Sequence, residues 1–467
     1  MSTLDFRDLP EERLATTDEE GRRLWIIPAR VRGYWKNRKT VFHIILLMIF
    51  TLTPWLRISG KPILLFDIQN RQFVFFGNVF ASHDAPLLFF VFAILGFSLI
   101  VVTALWGRLW CGWACPQTVF IEQVFRRIES FAVGGRGEQL AANREPLKWK
   151  YLKRLVFKWS LFILASLILS HSFIAYFVSW ENLLSMMSKP PGESWTVFVT
   201  VLVFTGVILF DFAWFREQFC IIMCPYGRFQ SVLMDQNSIT VTYDYKRGEP
   251  RHKGLNKDEN QKVGDCIDCF KCVSVCPTGI DIRRGQQLEC ISCTACIDAC
   301  DEVMERINRP KGLVRYAALA DLEKSGRRFW RPRVVVYLSI LGILISGFIF
   351  ALNQHQKFYF NVLRQNQRPY VVASEYLLNN FKFHIKNPSF SEFEYKISLI
   401  EQKGVEMAPP VISGNLSGNE DVQRPFFIKL IDWEARNVSE IQLLIEYSEK
   451  NGKADKATHS VRLVYPK

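Results

Sequence analysis

The spacing of the cysteines constrains this chain more than any other feature. The chain has 467 residues and 12 cysteines, and every cysteine belongs to a repeated motif. Four of them form two copies of Cys-x3-Cys-Pro, each just after a long apolar segment, at Cys111/Cys115 and Cys220/Cys224. The other eight form two runs with an x2, x2, x3 spacing: Cys266, Cys269, Cys272 and Cys276, then Cys290, Cys293, Cys296 and Cys300.

The two longer runs have the spacing of bacterial two-cluster ferredoxins, in which each run gives three thiolates to one [4Fe–4S] cluster and a fourth to the other. Asp301 follows Cys300 where the pattern has a proline, but that proline shapes the turn and is not a ligand. Zinc is the alternative, and it fits poorly because four-cysteine zinc sites separate two Cys-x2-Cys pairs by a longer gap. The spacing predicts one cluster on Cys266, Cys269, Cys272 and Cys300, and a second on Cys290, Cys293, Cys296 and Cys276.

The Cys-x3-Cys-Pro motifs are less specific. Residues i and i+4 share one face of a helix, and a proline pushes the residue before it away from helical angles. The repeat predicts that Cys111, Cys115, Cys220 and Cys224 converge at one membrane boundary. Soft thiolates select Cu(I), zinc or iron–sulfur, and Met223 could add another soft sulfur. The same thiols could cycle between dithiol and disulfide, or be inert and packed at helix ends.

Apolar segments at 41–56, 86–106, 155–178, 195–215 and 334–352 could each cross a bilayer, which takes about 20 residues. Lys and Arg concentrate in the loops 107–154 and 216–333 and are sparse in 57–85 and 181–194. The positive-inside rule then predicts a multi-pass protein of the bacterial inner membrane, with every cysteine motif on the cytoplasmic side. The net charge of +13 is explained by this topology and needs no nucleic acid. Reduced cytoplasmic thiols also favour metal ligation over disulfides.

After the fifth segment, apolar and polar residues alternate with the period of β-strands, as at Phe381/Phe383/Ile385 and Ile441/Leu443/Ile445. About 100 such residues predict a β-sandwich of immunoglobulin type on the periplasmic side. The predicted fold is an integral membrane α-helical protein of about five transmembrane helices, with an inserted bacterial ferredoxin-like domain holding two [4Fe–4S] clusters and a C-terminal immunoglobulin-like β-sandwich. Its predicted domains are a cytoplasmic segment (1–40), four transmembrane helices (41–215, with the second thiol motif at 220–225), the ferredoxin domain (226–333), the fifth helix (334–352) and the periplasmic domain (353–467).

Three ionisable residues within the apolar segments are further candidates. His43 and His171 could ligate haem, but His43 lies near the inner end of its segment and His171 towards the outer half of another. Two axial ligands would have to lie at the same depth, so haem is disfavoured. An ionisable residue inside a membrane is a site candidate by default, which applies to Asp211. Asp211 could instead reach water or pair with Arg216.

The motifs together resemble the cytochrome c oxidase accessory proteins called CcoG, FixG or RdxA, over nearly the whole length. The likeness is carried by Arg-Leu-Trp-Cys111-Gly-Trp-Ala-Cys115-Pro, Glu-Gln-Phe-Cys220-Ile-Ile-Met-Cys224-Pro, Val-Thr-Tyr243, Arg-Gly-Glu-Pro250-Arg, Gly-Asp-Cys266-Ile-Asp-Cys269, Gly-Ile-Asp-Ile-Arg283 and Asn308-Arg-Pro-Lys-Gly-Leu.

The resemblance implies that the protein reduces Cu(II) to Cu(I) at the inner membrane for assembly of cbb3-type cytochrome oxidase, with copper at the four membrane cysteines. It also implies a copper chaperone or copper-export ATPase and oxidase assembly factors as partners. The electron donor would be cytoplasmic, and the chain could act alone or as a homodimer. Two other functions stay open: a quinol-linked ferredoxin subunit resembling NapH, and a copper-binding assembly scaffold without turnover.

Overall fold

The computed structural model divides the chain into two compact units, Met1–Trp55 with Leu88–Phe348, and Leu56–Leu87 with Ile349–Lys467. The structure describes residues 16, 20, 23–58, 61–68, 72–76, 78–80, 85–146, 148–254, 263–323, 326–353, 359–364, 369–373, 376–387, 392–417, 420–431, 439–449 and 454–466.

Within these ranges, four helices are long and apolar enough to cross a bilayer: Pro86–Trp106, Trp149–Val178, Trp195–Phe215 and Pro332–Asn353. They match four of the five predicted segments. The remaining segment, 41–56, forms most of a helix, Tyr34–Leu52, and the 3-10 turn after it, Thr53–Trp55. That helix is outside the set of four, and its first two turns are the charged sequence around Lys36 and Lys39.

The chain forms both short and long helices. Three π-helical turns, Ile121–Phe125, Phe210–Phe215 and Phe219–Met223, all lie beside the Cys-x3-Cys-Pro motifs, and such turns are frequent at functional sites. The α-helices are α1 (Tyr34–Leu52), α2 (Ala85–Trp106), α3 (Leu109–Trp113), α4 (Pro116–Phe120), α5 (Arg126–Ala132), α6 (Arg136–Arg144), α7 (Trp149–Val178), α8 (Trp180–Met187), α9 (Trp195–Leu209), α10 (Pro225–Leu233), α11 (Tyr245–Gly248), α12 (Lys271–Ser274), α13 (Ala295–Arg306), α14 (Leu319–Leu322) and α15 (Pro332–Asn353).

The segment between the first two apolar stretches forms small antiparallel sheets. Strands β1 (Arg57–Ile58) and β2 (Lys61–Pro62) pair with each other. Strands β3 (Leu64–Asp67), β4 (Gln72–Phe75) and β5 (Asn78–Phe80) form a three-stranded meander. Val74 is fully buried there, as the alternation of apolar side chains requires.

The cysteine-rich region lies between α10 and α15. Two short strands, β6 (Thr240–Tyr243) and β7 (Val314–Ala317), pair antiparallel and bring together the two ends of the region. The 3-10 turn Ile282–Arg284 lies between α12 and α13. A small core forms around them, and it includes two of the predicted cluster ligands: Val241, Tyr243, Cys266, Cys272, Val273, Ile282, Ile297, Val303, Met304, Leu313 and Val314.

The C-terminal part of the second unit is a β-sandwich, as the alternation predicts. One sheet has the order β12-β14-β10-β8, with β9 also on β10, and the other has the order β13-β11-β15-β16; all pairs are antiparallel. Both sheets contribute to one core, through residues such as Phe381, Phe426, Ile397 and Leu443. The strands are β8 (Tyr359–Arg364), β9 (Tyr370–Val372), β10 (Tyr376–Lys386), β11 (Phe393–Leu399), β12 (Val405–Ala408), β13 (Val411–Leu416), β14 (Asp421–Ile431), β15 (Glu440–Glu449) and β16 (Asp455–Arg462).

Candidate iron–sulfur and thiol site

The eight cysteines of the two runs line two cavities. One cavity is lined by Cys266, Cys269, Cys272 and Cys300, with Tyr243 and Met304 among its other walls. The other is lined by Cys276, Cys290, Cys293 and Cys296, with Cys272 at the boundary. The last cysteine of each run therefore lies with the first three of the other run, which is the exchange that the spacing predicts.

The donor set fits a multi-iron cluster better than a single ion. In the described ranges, no three His, Cys, Asp or Glu side chains close on one point as a bound zinc ion would need. The cysteines of the two runs instead line the walls of the two cavities, four around each centre. Burial raises the pKa of Cys276 and of Cys300 to about 12, so both thiols are protonated at neutral pH until metal displaces the protons.

The two runs wrap their cavities with the same backbone conformation. Asp268 and Phe270 in the first run have positive φ angles of 51° and 54°, and Ser292 and Thr294 at the equivalent places have 51° and 66°. Left-handed residues among right-handed ones turn successive N–H groups towards one point, an arrangement found at iron–sulfur sites. Arg283 holds the first loop, since it donates to Asp268 at 2.5 Å and lies 4.0 Å over the ring of Phe270.

Each Cys-x3-Cys-Pro motif ends one helix and begins another. Cys115 and Cys224 have extended backbones and stand at the N-caps of α4 and α10, with the proline at the first helical position. A proline fits there because its missing N–H would have no intrahelical partner. The predicted helix break is therefore present in both copies, and it places a thiol at the positive end of a helix each time.

The two copies are joined by crossed contacts. Gln117, two residues after the first motif's second cysteine, donates to Asp211 at 2.9 Å in the fourth predicted segment. Tyr226, at the equivalent place in the second copy, shares a 2.6 Å hydrogen bond with Thr103 in the second predicted segment. Each motif is thus fixed by the helix that leads into the other motif. Of the alternatives raised for Asp211, pairing with the Arg216 side chain is not what the structure has, because the Arg216 guanidinium pairs with Glu129 at 3.1 Å.

The four thiols influence one another electrostatically. Burial raises the pKa of Cys111 to about 11, with smaller upward effects from Cys115 and Cys224 opposed by Gln230 and Arg108. The pKa of Cys220 is raised by burial and then by charges that include those of Cys115, Cys111 and Cys224. Gln230, which is fully buried, donates to the sulfur of Cys111 at 3.2 Å. The four thiols that the sequence singles out therefore lie in one neighbourhood, although no three of them close on one point in the described part of the chain. Met223 is exposed.

The first thiol motif packs directly against the loop that lines the second cavity. Gly112 approaches the backbone of Ser292 so closely that a Cβ at residue 112 would lie 2.3 Å from the Ser292 carbonyl oxygen. Ser292 lies between Cys290 and Cys293 in sequence. Only glycine allows this approach, so the residue beside Cys111 is in backbone contact with the residue beside Cys293.

Arg108 links three parts of the site. Its buried guanidinium donates to the carbonyl oxygens of Leu288 and Cys290 in the cysteine-rich region and to that of Gly227 in the second thiol motif, the last at 2.8 Å. An aromatic cluster reinforces the junction, since Trp113 donates to the hydroxyl of Tyr316 at 3.1 Å. Trp35 packs edge-on against Tyr316, with ring centroids 5.2 Å apart.

A buried ion-pair triad lies beside the second cavity. Glu122 receives Lys36 at 2.7 Å and Lys39 at 2.8 Å, and Lys39 also donates to the carbonyl oxygen of Cys293 at 3.3 Å. Burial alone would raise the pKa of Glu122, but the two lysines outweigh it and hold the pKa far below its ordinary value. Sequence reasoning missed Lys39 and Glu122; the one signal for Lys39 was a charge close to the start of an apolar segment.

The two histidines of the apolar segments, His43 and His171, each contact another group of the protein. His43 is fully buried, and its Nδ1 lies 3.2 Å from the side-chain amide of Gln123. His171 Nδ1 lies 2.8 Å from the carbonyl oxygen of Leu167, one helical turn before it. Both contacts are of the kind that position a histidine within a helical bundle.

Three family models match the chain. Residues 215–319 match a 4Fe-4S dicluster domain, residues 87–134 match a 4Fe-4S binding domain, and residues 348–466 match the Ig-like fold at the C-terminus of FixG. The predicted fold class is confirmed by these matches together with the four apolar helices.

Curated relatives cover most of the chain. Nitrogen fixation protein FixG of Rhizobium meliloti is 33% identical over 84% of this chain and 82% of its own length. Proteins RdxA and RdxB of Cereibacter sphaeroides are 37% and 34% identical, over 69% and 82% of this chain and 70% and 83% of their own lengths. With its iron–sulfur domains and its apolar helices, this chain is a membrane electron-transfer protein that belongs to the FixG/RdxA family.

Proposed function

We propose that the protein is a cupric reductase, which passes electrons from a cytoplasmic donor to Cu(II) and so supplies Cu(I) for assembly of cbb3-type cytochrome oxidase. The observation that carries this proposal is the backbone contact between Gly112 and Ser292, because it joins the thiol motifs to the loop of the second cavity. In the bacterial inner membrane, the cysteine-rich region would face the cytoplasm and the β-sandwich the periplasm.

The residues divide into two groups. Cys266, Cys269, Cys272 and Cys300 would hold one [4Fe–4S] cluster, and Cys290, Cys293, Cys296 and Cys276 the other; these clusters supply one-electron transfer when bound. Copper is the substrate, and Cys111, Cys115, Cys220 and Cys224 would bind it. Thiolates favour Cu(I) over Cu(II), so copper held by them is easier to reduce. Each Cu(II) ion takes one electron and leaves as Cu(I), to a copper chaperone or export ATPase.

Surrounding residues keep the thiols in place for this transfer. Arg108 fixes the first motif against Cys290 and the second through Gly227, so neither motif can separate from the iron–sulfur loop without breaking buried hydrogen bonds. Gln230 orients the sulfur of Cys111. Cys269 is the one exposed cysteine of the twelve, which makes the first cavity the natural place for a donor protein to approach.

The test is Cu(II) reduction by anaerobically purified protein whose clusters have been chemically reduced. We expect Cys111→Ser and Cys220→Ser to keep the iron content and the EPR spectra of wild type but to lose copper reduction. Ile222→Leu, a change close to Cys224 at an exposed side chain, is the matched control and should keep activity. Unchanged rates in both serine variants would reject the membrane thiols as the copper site. Binding of Cu(I) without any turnover would instead indicate an assembly scaffold, and copper-independent oxidation of quinol would indicate a quinol-linked subunit.

A second candidate role for the membrane thiols is iron–sulfur binding. It is favoured by the match of residues 87–134, which include Cys111 and Cys115, to a 4Fe-4S binding domain. Iron counting separates the two roles, since two clusters contribute about 8 iron atoms per chain and a third would raise this to about 12. A loss of iron in Cys111→Ser would support cluster binding, whereas unchanged iron with lost copper reduction would support the copper site.

A further inference from the structure

A large cleft opens beside the second cavity and plays no part in the proposed copper chemistry. It is open to solvent and has a volume of about 350 Å³. Its walls are the segment 26–32, the helical stretch that carries Glu122 and Ser130, and the iron–sulfur loops at Pro277 and Cys293. The cleft therefore reaches two of the loops that line the second cavity.

The walls of the cleft are fixed to one another. The backbone N–H of Ala29 donates to the carbonyl oxygen of Ser274 at 2.8 Å, which joins segment 26–32 to the cysteine-rich region. The Arg136 Nε donates to the carbonyl oxygen of Ile27 at 2.8 Å, which joins the same segment to α6. These hydrogen bonds join the segment to two separate parts of the unit, so the fold holds this wall of the cleft in place.

The lining of the cleft is strongly basic. Among the described residues that line the cleft, two carboxylates, Glu122 and Glu129, face six cationic side chains. Glu122 forms ion pairs with Lys36 and Lys39, and Glu129 forms an ion pair with Arg216. The cationic residues of the lining are Arg30, Arg32, Lys36, Arg126, Arg127 and Arg216.

Three of these cations are free to bind a ligand. Arg30, Arg32 and Arg127 are exposed, and their guanidinium groups make no ion pair in the part of the chain that the structure describes. Arg126 pairs with Glu217 at 2.5 Å, yet its Nε is buried and has no hydrogen-bond partner among those residues. Like charges gathered on one concave surface repel one another, and an anion between them relieves that repulsion.

Guanidinium groups select phosphate in particular. Their planar fork matches the oxygen spacing of phosphate, and several together give bidentate, charge-assisted hydrogen bonds. Phosphate reaches such a place from two sources. One is a soluble nucleotide, and the other is the headgroup of an anionic phospholipid, because Arg216 of the lining directly follows the helix Trp195–Phe215 that can cross the membrane.

We propose that this basic cleft binds a phosphate-bearing ligand against the loop of Cys293. The binding itself does not depend on copper chemistry. The effect on the cluster does rest on the ligand set given under the proposed function. Negative charge beside the second cluster disfavours its reduced form, so bound ligand lowers the reduction potential of that cluster, and by linkage reduction of the cluster weakens ligand binding.

The test uses delipidated, full-length protein with its clusters in detergent. Flavin mononucleotide and riboflavin form a matched pair for a soluble phosphate, measured by equilibrium dialysis. Phosphatidylglycerol and phosphatidylcholine form the matched pair for a lipid, measured by native mass spectrometry. We expect one or both of the anionic ligands to bind, and the triple variant Arg30→Gln/Arg32→Gln/Arg127→Gln to weaken binding by about tenfold or more. Arg284→Gln, at an exposed arginine outside the cleft, should leave it unchanged.

The outcomes separate the sources and can overturn the proposal. Arginine-dependent binding of flavin mononucleotide identifies a nucleotide site, and arginine-dependent binding of phosphatidylglycerol alone identifies a lipid site. Absence of both, or binding that the triple variant leaves unchanged, overturns the cleft as a phosphate site. An EPR-monitored redox titration with ligand bound should show one cluster shifted to a more negative potential. An unchanged potential would overturn the placement against Cys293, whatever the fate of the copper proposal.

Discussion

Asp298 of α13 caps the N-terminus of α1 from a distant part of the chain. Its carboxylate accepts hydrogen bonds from the backbone N–H groups of Trp35 at 3.1 Å and Lys36 at 2.7 Å. Those groups have no partner within the helix, and a carboxylate also suits the positive end of the helix dipole. Gly33 leaves room for the cap, because a Cβ there would lie 2.4 Å from the carboxyl carbon of Asp298. The cap therefore fastens the cysteine-rich region to the helical part of the first unit.

Asp298→Ala should weaken this attachment. The loss of a cap costs about 0.5–2 kcal/mol of unfolding free energy, and we expect a value near the upper end because Asp298 is buried. Chemical denaturation followed by loss of cluster absorbance would measure it. Glu323→Ala, at an exposed acidic residue of the same region, is the control and should change stability little. Equal stability of both variants would show that the cap does not fasten α1.

Gly112→Ala should slow copper reduction without removing iron. The added methyl would meet the Ser292 carbonyl oxygen, so the first thiol motif must shift away from the loop of the second cavity. Misplacement of reacting groups by about 1 Å costs up to about 100-fold in rate, and we expect a loss of about 10- to 100-fold in the rate of Cu(II) reduction. Gly137→Ala is the matched control, because a Cβ there meets nothing within 4 Å. Full activity in Gly112→Ala would show that this contact is not on the electron path.

The sequence predicts the parts of this fold whose information is local. The exchange of the fourth cysteines is expected because the spacing matches that of two-cluster ferredoxins, in which three cysteines at three-residue intervals wrap one centre and the fourth serves the other. The structure gathers the same cysteines around each cavity, although the ligand sets stay predictions. The alternation around Phe381 and Ile441 likewise predicts the sandwich. Proline after Cys115 and Cys224 predicts the helix break, because its effect is confined to neighbouring residues.

The sequence does not predict the contacts that depend on tertiary packing. The pairing of Asp211 with Gln117 crosses between repeats, whereas sequence proximity suggested Arg216. Lys39 lies in the charged sequence before the first apolar segment, yet it is 1% exposed, because Glu122 from a different helix neutralises it. A buried charge is tolerated only with such a partner, and nothing local in the sequence reveals which residue provides it.

Glu122→Gln should destabilise the protein strongly. The substitution leaves Lys36 and Lys39 without their carboxylate, and the loss of one partner from a buried ion pair costs about 3–5 kcal/mol. The folded-state pKa of Glu122 lies below its ordinary value of 4.5, so this contribution is complete above pH 4.5 and declines as the pH falls below it. The wild-type advantage over Glu122→Gln should therefore be constant near neutrality and shrink in acid.

A control for this change is provided by a solvent-exposed pair. Glu145 and Lys148 lie 2.6 Å apart with both side chains exposed, and Glu145→Gln should cost less than about 1 kcal/mol. Thermal unfolding of the detergent-solubilised variants would compare the two losses. Equal losses of stability in Glu122→Gln and Glu145→Gln would show that the triad is solvated and stabilises the fold no more than an exposed ion pair does.

Lys39→Met should lower the reduction potential of one cluster and leave the other unchanged. The ammonium of Lys39 donates to the Cys293 carbonyl, and a buried positive charge there favours the reduced, more negative cluster. A tenfold change in the equilibrium distribution of one electron between the two clusters corresponds to about 59 mV. We expect Lys39→Met to change the difference between the two reduction potentials by about that amount. An EPR-monitored titration of each cluster measures it, with exposed Lys246→Met as the control. If both clusters shift together, or neither shifts, Lys39 does not direct electrons towards the cluster beside the thiols.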